Sequence, residues 1–200
     1  MALGGPLGST QARLTLASTS PQRRAILEQL QIPFEVLSPA YVEDDPPDAD
    51  PVELVCRHAE GKARSVHLDG LTLGVDTTVA LDGRIYGKAS DGAHATRMLE
   101  ELSGRTHTVV SGLCLLGAGA DVVAHEQTAV AFRLLAPDTV SAYVASGEWE
   151  GRAGAYAIQG LGGRLVERIE GDYLNVVGLP AALLVSILER AAPKLLQTRR

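Results

Sequence analysis

Two hydrophobic rhythms alternate along the chain, and their alternation predicts a mixed α/β protein. Short apolar runs read as strands over 14–17, 34–37, 71–75, 77–81 and 84–86. Between them, apolar residues recur at helical spacing over 21–30 and from 51 to about 67. The second half continues with a helix over 92–102, two long strand-like segments over 106–116 and 122–135, and a helix over 137–146. A strand near 164–169 and a closing helix over 180–191 complete the prediction.

Local chemistry fixes several boundaries. Pro21 suits the first helical position, where its missing N–H costs nothing, and Ser20 before it suits the N-cap. Asp50-Pro51-Val52-Glu53 combines an N-cap Asp, a Pro at the first position and a Glu at the third. Asp82-Gly83 predicts a hairpin turn, and Gly104 follows the end of the helix over 92–102. An acidic, proline-rich loop containing Glu43, Asp44, Asp45, Pro46, Pro47 and Asp48 leads to the helix from Pro51. The glycine-dense stretch 147–163 reads as a shaped loop, since the chain has no repeat and no low-complexity segment.

Several charged residues break this pattern. Arg23 shares the helical stripe of Ile26, Leu27 and Leu30, either as a snorkelling side chain or as part of an anion site with Ser20 and the exposed amides of the helix start. Lys62 falls within about 20° of Val55 on the wheel, beside the stripe Val52, Val55, Ala59, Ala63 and Val66, and is either snorkelling or paired. Asp76 lies between two β-like runs, where a carboxylate needs a partner such as a metal or a proton-transfer role. Glu43 is either a solvated loop charge or a second oxygen ligand, since Mg²⁺ on a nucleotide takes one or two carboxylates plus phosphate oxygens. Lys88 follows Gly87, where backbone can approach a ligand, and the Gln159 amide carries both donors and an acceptor suited to a base.

Composition narrows the function classes. With 200 residues and 46% hydrophobic content, the chain supports one domain over 12–196, preceded by a Gly-rich tail over 1–11 without the pattern of a signal peptide. The net charge of −6 argues against a nucleic-acid backbone as partner, and no apolar run approaches the roughly 18 residues of a membrane span. Cys56 and Cys114 show no metal-like spacing, so two reduced core thiols in a cytoplasmic protein are expected. The absence of HExxH, HxxxH, GxSxG and a P-loop GK[ST] argues against metalloprotease, α/β-hydrolase and P-loop chemistry.

Taken together, Leu-Ala-Ser-Thr-Ser-Pro-Gln-Arg-Arg at 16–24, Gly-Val-Asp-Thr-Thr-Val at 74–79, Gly-Lys at 87–88, Met-Leu-Glu-Glu-Leu-Ser-Gly at 98–104, Tyr-Val-Ala-Ser-Gly-Glu at 143–148, Ala-Gly-Ala-Tyr-Ala-Ile-Gln-Gly-Leu-Gly-Gly at 153–163 and Asn-Val-Val-Gly-Leu-Pro at 175–180 resemble the Maf family of nucleoside triphosphate pyrophosphatases. The resemblance implies a Maf/Ham1-like α/β fold, a mixed sheet with flanking helices and two lobes around a cleft. It also implies hydrolysis of a nucleoside triphosphate to monophosphate and pyrophosphate with a divalent metal, Mg²⁺ or Mn²⁺. Asp76 then corresponds to the general base or metal ligand, Glu43 to the second acidic residue, and Ser18, Arg23, Lys62 and Lys88 to phosphate-facing positions. Thr77 and Gln159 match the dTTP/UTP subgroup, whereas Gln22 stands where that subgroup usually carries Arg. Ala89 and Trp149 also replace residues that are usually Pro. A homodimer is a further implication. Two other readings remain: a nucleotide-binding regulator of septum formation, and a pyrophosphatase for CTP or for modified or non-standard purine nucleotides.

Overall fold

The structure is a computed structural model in which residues 14–46, 49–66, 69–117, 119 and 121–197 are described. The expected tail over 1–11 lies outside the described residues. Seven strands form one mixed sheet: β1 (Leu14–Ala17), β2 (Phe34–Leu37), β3 (Leu71–Leu81), β4 (Arg84–Tyr86), β5 (Thr106–Leu116), β6 (Val122–Phe132) and β7 (Val166–Glu170). The order is β2-β1-β3-β5-β6-β7, with β4 paired to β3. β1 runs parallel to both of its neighbours, and the other pairings are antiparallel.

Side-chain alternation along the long strands sorts the helices onto the faces. Leu73, Val75, Leu113 and Leu115 point to one face, where they pack with Ile26 and Leu27 of α1 (Pro21–Gln29) and Leu184 and Leu188 of α6 (Ala181–Ala191). A second core joins Val79, Val109 and Phe132 to α3 (Gly92–Leu102) and α4 (Pro137–Ala145). The other face carries α2 (Pro51–Val66), whose Ala59 and Ala63 pack on Cys114 and Leu116.

The helix starts follow the expected chemistry. Ser20 caps α1 by accepting from the Arg23 amide, and Asp50 accepts from the amides of Val52 and Glu53 at 2.9 and 3.0 Å. Asp82 and Gly83 turn the β3–β4 hairpin with φ of 50° and 78°, as a primed turn requires.

Four expectations change. The two runs at 71–75 and 77–81 form one strand, because pairing with β5 continues without interruption from Thr72 to Ala80 and carries Asp76 within it. β6 ends at Phe132 rather than 135: its pairing with β7 shifts register at Ala131/Phe132 and stops with Phe132 opposite Val166, and Leu134 turns out to solvent. The strand expected near 164–169 begins at Val166, because Leu161–Arg164 winds into a 3₁₀ turn whose Leu161 and Gly162 amides donate to the Glu148 carboxylate. Cys114 is a core thiol, but Cys56 is only half-buried because its position falls beside the buried face of α2; both are free. The sequence pattern did not reveal the short helix α5 (Tyr173–Val177), capped by Asp172, or the 3₁₀ turn Pro193–Leu196.

His107 on β5 supplies a test of the packing. It is buried edge-on against Phe132, with Nε2 2.9 Å from the Tyr156 hydroxyl, and burial holds its pKa down to about 4 from 6.5. A histidine kept neutral on folding stabilises the protein above the unfolded pKa, and that stability is lost as pH falls from 6.5 toward 4. The loss should reach about 3 kcal/mol in denaturant titrations across this window. His107→Gln should remove that part of the decline; the same decline in both proteins would show that His107 is not its source.

Candidate functional site

The sheet opens at one place along β3. β1 ends with Ala17 opposite Gly74, and β4 takes over only from Val79. Among the described residues, 75–78 therefore have no strand partner on that edge. A cleft of about 470 Å³ occupies the opening, at the carboxyl end of β1 where the chain passes into α1. Ser18, Ser20, Gln22, Arg23, Glu43, Lys62, Asp76, Thr77, Lys88 and Gln159 all line it.

Arg23 forms the α1 wall. Its Nε donates to the Gly178 carbonyl at 3.0 Å, Nη1 to Ser18 Oγ at 3.1 Å and Nη2 to Thr77 Oγ1 at 3.3 Å. Such a guanidinium is anchored rather than snorkelling. Burial lowers its pKa and the charges of Asp76 and Glu43 oppose that shift; an Arg keeps its charge regardless. Ser20 Oγ also donates to Gln22 Oε1 at 3.1 Å, so the cap helps orient that amide.

Lys62 forms the opposite wall. It is buried, and its Nζ lies 2.5 Å from both Asp76 Oδ1 and Glu43 Oε1. Of the two readings of this lysine, pairing is the one observed. Glu43 likewise is more than a solvated loop charge. Burial would raise its pKa, but the hydrogen bond and charge of Lys62 lower it overall.

The sequence reading missed His58. It is 1% exposed, with Nδ1 3.4 Å from Asp76 Oδ2 and Nε2 3.2 Å from the Asp44 carbonyl and 3.5 Å from Asp45 Oδ1. Both ring nitrogens face acceptors, and the hydrogen bond to Asp76 leads the causes that raise its pKa. A signal was present: His58 and Lys62 are four apart and share one helical face. The buried face of α2 comprises Leu54, Val55, His58, Ala59, Lys62 and Ala63, rotated from the stripe drawn through Val52 and Val66. Arg152, on the wall carried by the glycine-dense loop, was also overlooked.

Asp76 is therefore held from two sides. Burial pushes its pKa up, but the His58 hydrogen bond and the charges of Lys62 and Arg23 outweigh burial and bring it to about 2. The carboxylate is ionised at neutral pH. The two carboxylates meet at Lys62 Nζ, and their oxygens are the donor type that a hard divalent cation shared with phosphate would take. Among the described residues, no group of three His, Cys, Asp or Glu side chains forms a metal cage.

Fold and cleft thus define an α/β protein whose cleft at the end of β1 gathers cations and carboxylates. The Maf family profile, described as Maf-like protein, matches residues 13–191, and the chain belongs to this family. A dTTP/UTP pyrophosphatase of Gloeobacter violaceus is 48% identical over 179 residues, covering 88% of this chain and 94% of its own length. Its counterpart in Moorella thermoacetica is 47% identical over 186 residues with the same coverage. The dTTP/UTP pyrophosphatase of Deinococcus radiodurans is 40% identical over 185 residues, covering 91% of this chain and 94% of its own. Among solved structures, a nucleoside-triphosphatase / dITP/XTP pyrophosphatase from Mycobacterium abscessus aligns with 60% of this chain and 74% of its own, at 20% identity and a TM-score of 0.41.

The placement of Lys62 and His58 depends on how near α2 comes to the sheet. A Cβ on Gly74 would stand 2.0 Å from the Ala59 carbonyl oxygen, so Gly74→Ala must push the helix away. The expected cost is at the upper end of overpacking, about 3 kcal/mol, in denaturant unfolding. Gly87→Ala, where no atom lies within 4 Å of the added Cβ, should stay within about 0.5 kcal/mol of the parent. Equal stabilities of the two variants would show that the contact does not constrain the helix.

Proposed function

We propose that residues 12–196 form one nucleotide pyrophosphatase domain that hydrolyses dTTP and UTP to the monophosphate and pyrophosphate. The observation that carries this reading is the meeting of Asp76, Glu43 and Lys62 with the anchored Arg23 in one cleft. The names of the relatives support it.

In the reaction, water attacks the α-phosphorus and gives up a proton to Asp76 or to solvent, the bond from that phosphorus to the bridging oxygen breaks, and pyrophosphate leaves with that electron pair. Negative charge grows on the phosphate oxygens and the leaving group, and catalysis is mainly a matter of meeting it with fixed positive charge. Arg23 and Lys62 are placed to do so from facing walls, with Lys88 on the rim. Glu43 and Asp76 would hold Mg²⁺ or Mn²⁺, which when bound neutralises phosphate charge. Asp76, ionised and held by His58 and Lys62, would bind the cation, orient the attacking water and accept its proton. Gln22, Thr77 and Gln159 all line the cleft, and in this reading Gln159 and Thr77 would contact the base while the neutral Gln22 amide widens the range toward CTP.

We further infer a cytoplasmic protein, supported by its two free thiols, acting on nucleotides rather than nucleic acid, as its net charge of −6 suggests. Among the described residues no helix is long and apolar enough to cross a membrane. A homodimer rests on the family resemblance.

A panel of nucleoside triphosphates with magnesium, read by pyrophosphate release, tests the activity. Turnover should be greatest with dTTP and UTP and should vanish in excess EDTA. Asp76→Asn should lower kcat by about 10²-fold or more with the fold retained. Release of orthophosphate, or near-parental turnover by Asp76→Asn, would refute the assignment. Nucleotide binding without turnover would favour the regulator of septum formation instead.

Base recognition has its own test. The Gln159 amide can donate to pyrimidine O4 and accept from N3–H together, whereas a carboxylate only accepts. Gln159→Glu should lower kcat/KM for UTP and dTTP about tenfold, or about 1.4 kcal/mol. The CTP value should fall less, because its amino group still finds an acceptor. A uniform loss across the panel would remove Gln159 from the base site.

A further inference from the structure

We propose that His58 is a positioning residue that locks Asp76 and the Glu43 loop to one another. The inference rests on the reading of Asp76 and Glu43 as the reacting carboxylates.

His58 spans two separate parts of the molecule. Its Nδ1 faces Asp76 Oδ2 on β3, and its Nε2 faces the Asp44 carbonyl and the Asp45 carboxylate on the loop that carries Glu43. A rigid ring with one nitrogen facing each part fixes the distance between those parts in a way that a flexible side chain cannot. The ring is itself held: it is 1% exposed, and Tyr41 packs on it with centroids 5.7 Å apart. The Tyr41 ring also lies directly against Gly61, where a Cβ would come within 2.3 Å of it.

The loop needs such a support. Between β2 and α2 it has no strand partner among the described residues, and its acidic side chains repel one another. Arg57 Nη2 also donates to the Asp44 carbonyl at 3.0 Å, which ties the loop to α2 but does not reach Asp76. Lys62 attracts both carboxylates but is a point charge on a flexible stem, so it sets no orientation. His58 occupies the oxygen of Asp76 that Lys62 does not, Oδ2 against Oδ1, and so fixes the rotation of the carboxylate. With the carboxylate plane set and the loop registered to it, Glu43 and Asp76 are aimed at one point before substrate arrives.

Three substitutions separate the two ends of the bridge. His58→Ala removes both contacts, His58→Asn keeps a donor at the Nδ1 position, and His58→Gln keeps one at the Nε2 position. Two readouts are taken on the full chain: backbone ¹⁵N order parameters without nucleotide, and steady-state kinetics with UTP and magnesium. In the parent, the amides of Glu43, Asp44 and Asp45 should match the rigid backbone, near 0.85. In His58→Ala and His58→Asn they should fall below about 0.6, and in His58→Gln they should stay near the parent. The kcat of His58→Ala should fall at least tenfold with KM changed less than threefold, and neither single-contact variant should recover kcat to within threefold of the parent.

Parental order parameters in His58→Ala overturn the tether. A mobile loop with unchanged kcat overturns the positioning role and leaves His58 as packing alone. If His58→Ala fails to fold, His58→Asn and His58→Gln decide by the same readouts. Absence of turnover in the parent refutes the pyrophosphatase reading and the catalytic part of this proposal, while the order parameters still decide the tether.

Discussion

The constraint on which the site depends is the close approach of α2 to the middle of the sheet. Gly74 and Gly112 lie on the same face of adjacent strands, and added Cβ atoms would stand 2.0 Å from the Ala59 carbonyl and 2.3 Å from the Val55 carbonyl. The helix backbone therefore rests on the strand backbone with little between them. Gly112 pairs directly with Asp76 across the β3–β5 ladder. Thus the residues that admit the helix flank the residue that the helix serves. A helix held farther off by ordinary side chains would carry His58 and Lys62 out of reach of the carboxylate.

That approach also explains how a carboxylate persists inside a strand. Taking Asp76 out of water is costly, and the cost is tolerable only if its oxygens are satisfied with good geometry. His58 takes one oxygen and Lys62 the other. The outcome is a pKa of about 2 despite burial, so attraction and hydrogen bonding prevail over desolvation. The same two residues reach the acidic loop, which places a cost of folding and a condition of function on one cluster. Removing a single partner leaves an uncompensated buried charge, and the cluster should be more fragile than any one contact suggests.

Much of this was legible in the chain because it is encoded locally. Pro21 and Ser20 announce the start of α1, Asp50 that of α2, and Asp82-Gly83 the hairpin, since caps and turns depend on neighbours a few residues away. The odd placements of Arg23, Lys62 and Asp76 were visible as charges on apolar faces. What pattern alone could not show is partnership across the fold. Whether Lys62 snorkels or pairs depends on residues 14 and 19 positions away, and His58 looked ordinary because it matches no ligand motif. The end of β6 was misjudged for a related reason: Leu134 and Leu135 extend the apolar run, but the ladder shifts register at Ala131/Phe132 and stops with Phe132 opposite Val166, which only the pairing with β7 determines. The family resemblance supplied the roles that no periodicity carries.

The two walls of the cleft differ in how they are prepared for a polyphosphate. Arg23 commits three of its five N–H groups to Gly178, Ser18 and Thr77, which leaves two for a ligand and a guanidinium plane that cannot swing. Such a wall is organised before binding and loses little entropy when it is used. Lys62 is the opposite case, since both of its neighbours are carboxylates that a phosphate and its cation would compete for. If a phosphate and its cation entered, Lys62 would exchange at least part of a carboxylate contact for a phosphate one, with Asp76 still held by His58. A fixed wall facing an exchangeable one lets the site stay charge-balanced when empty and still favour the build-up of charge at the transition state.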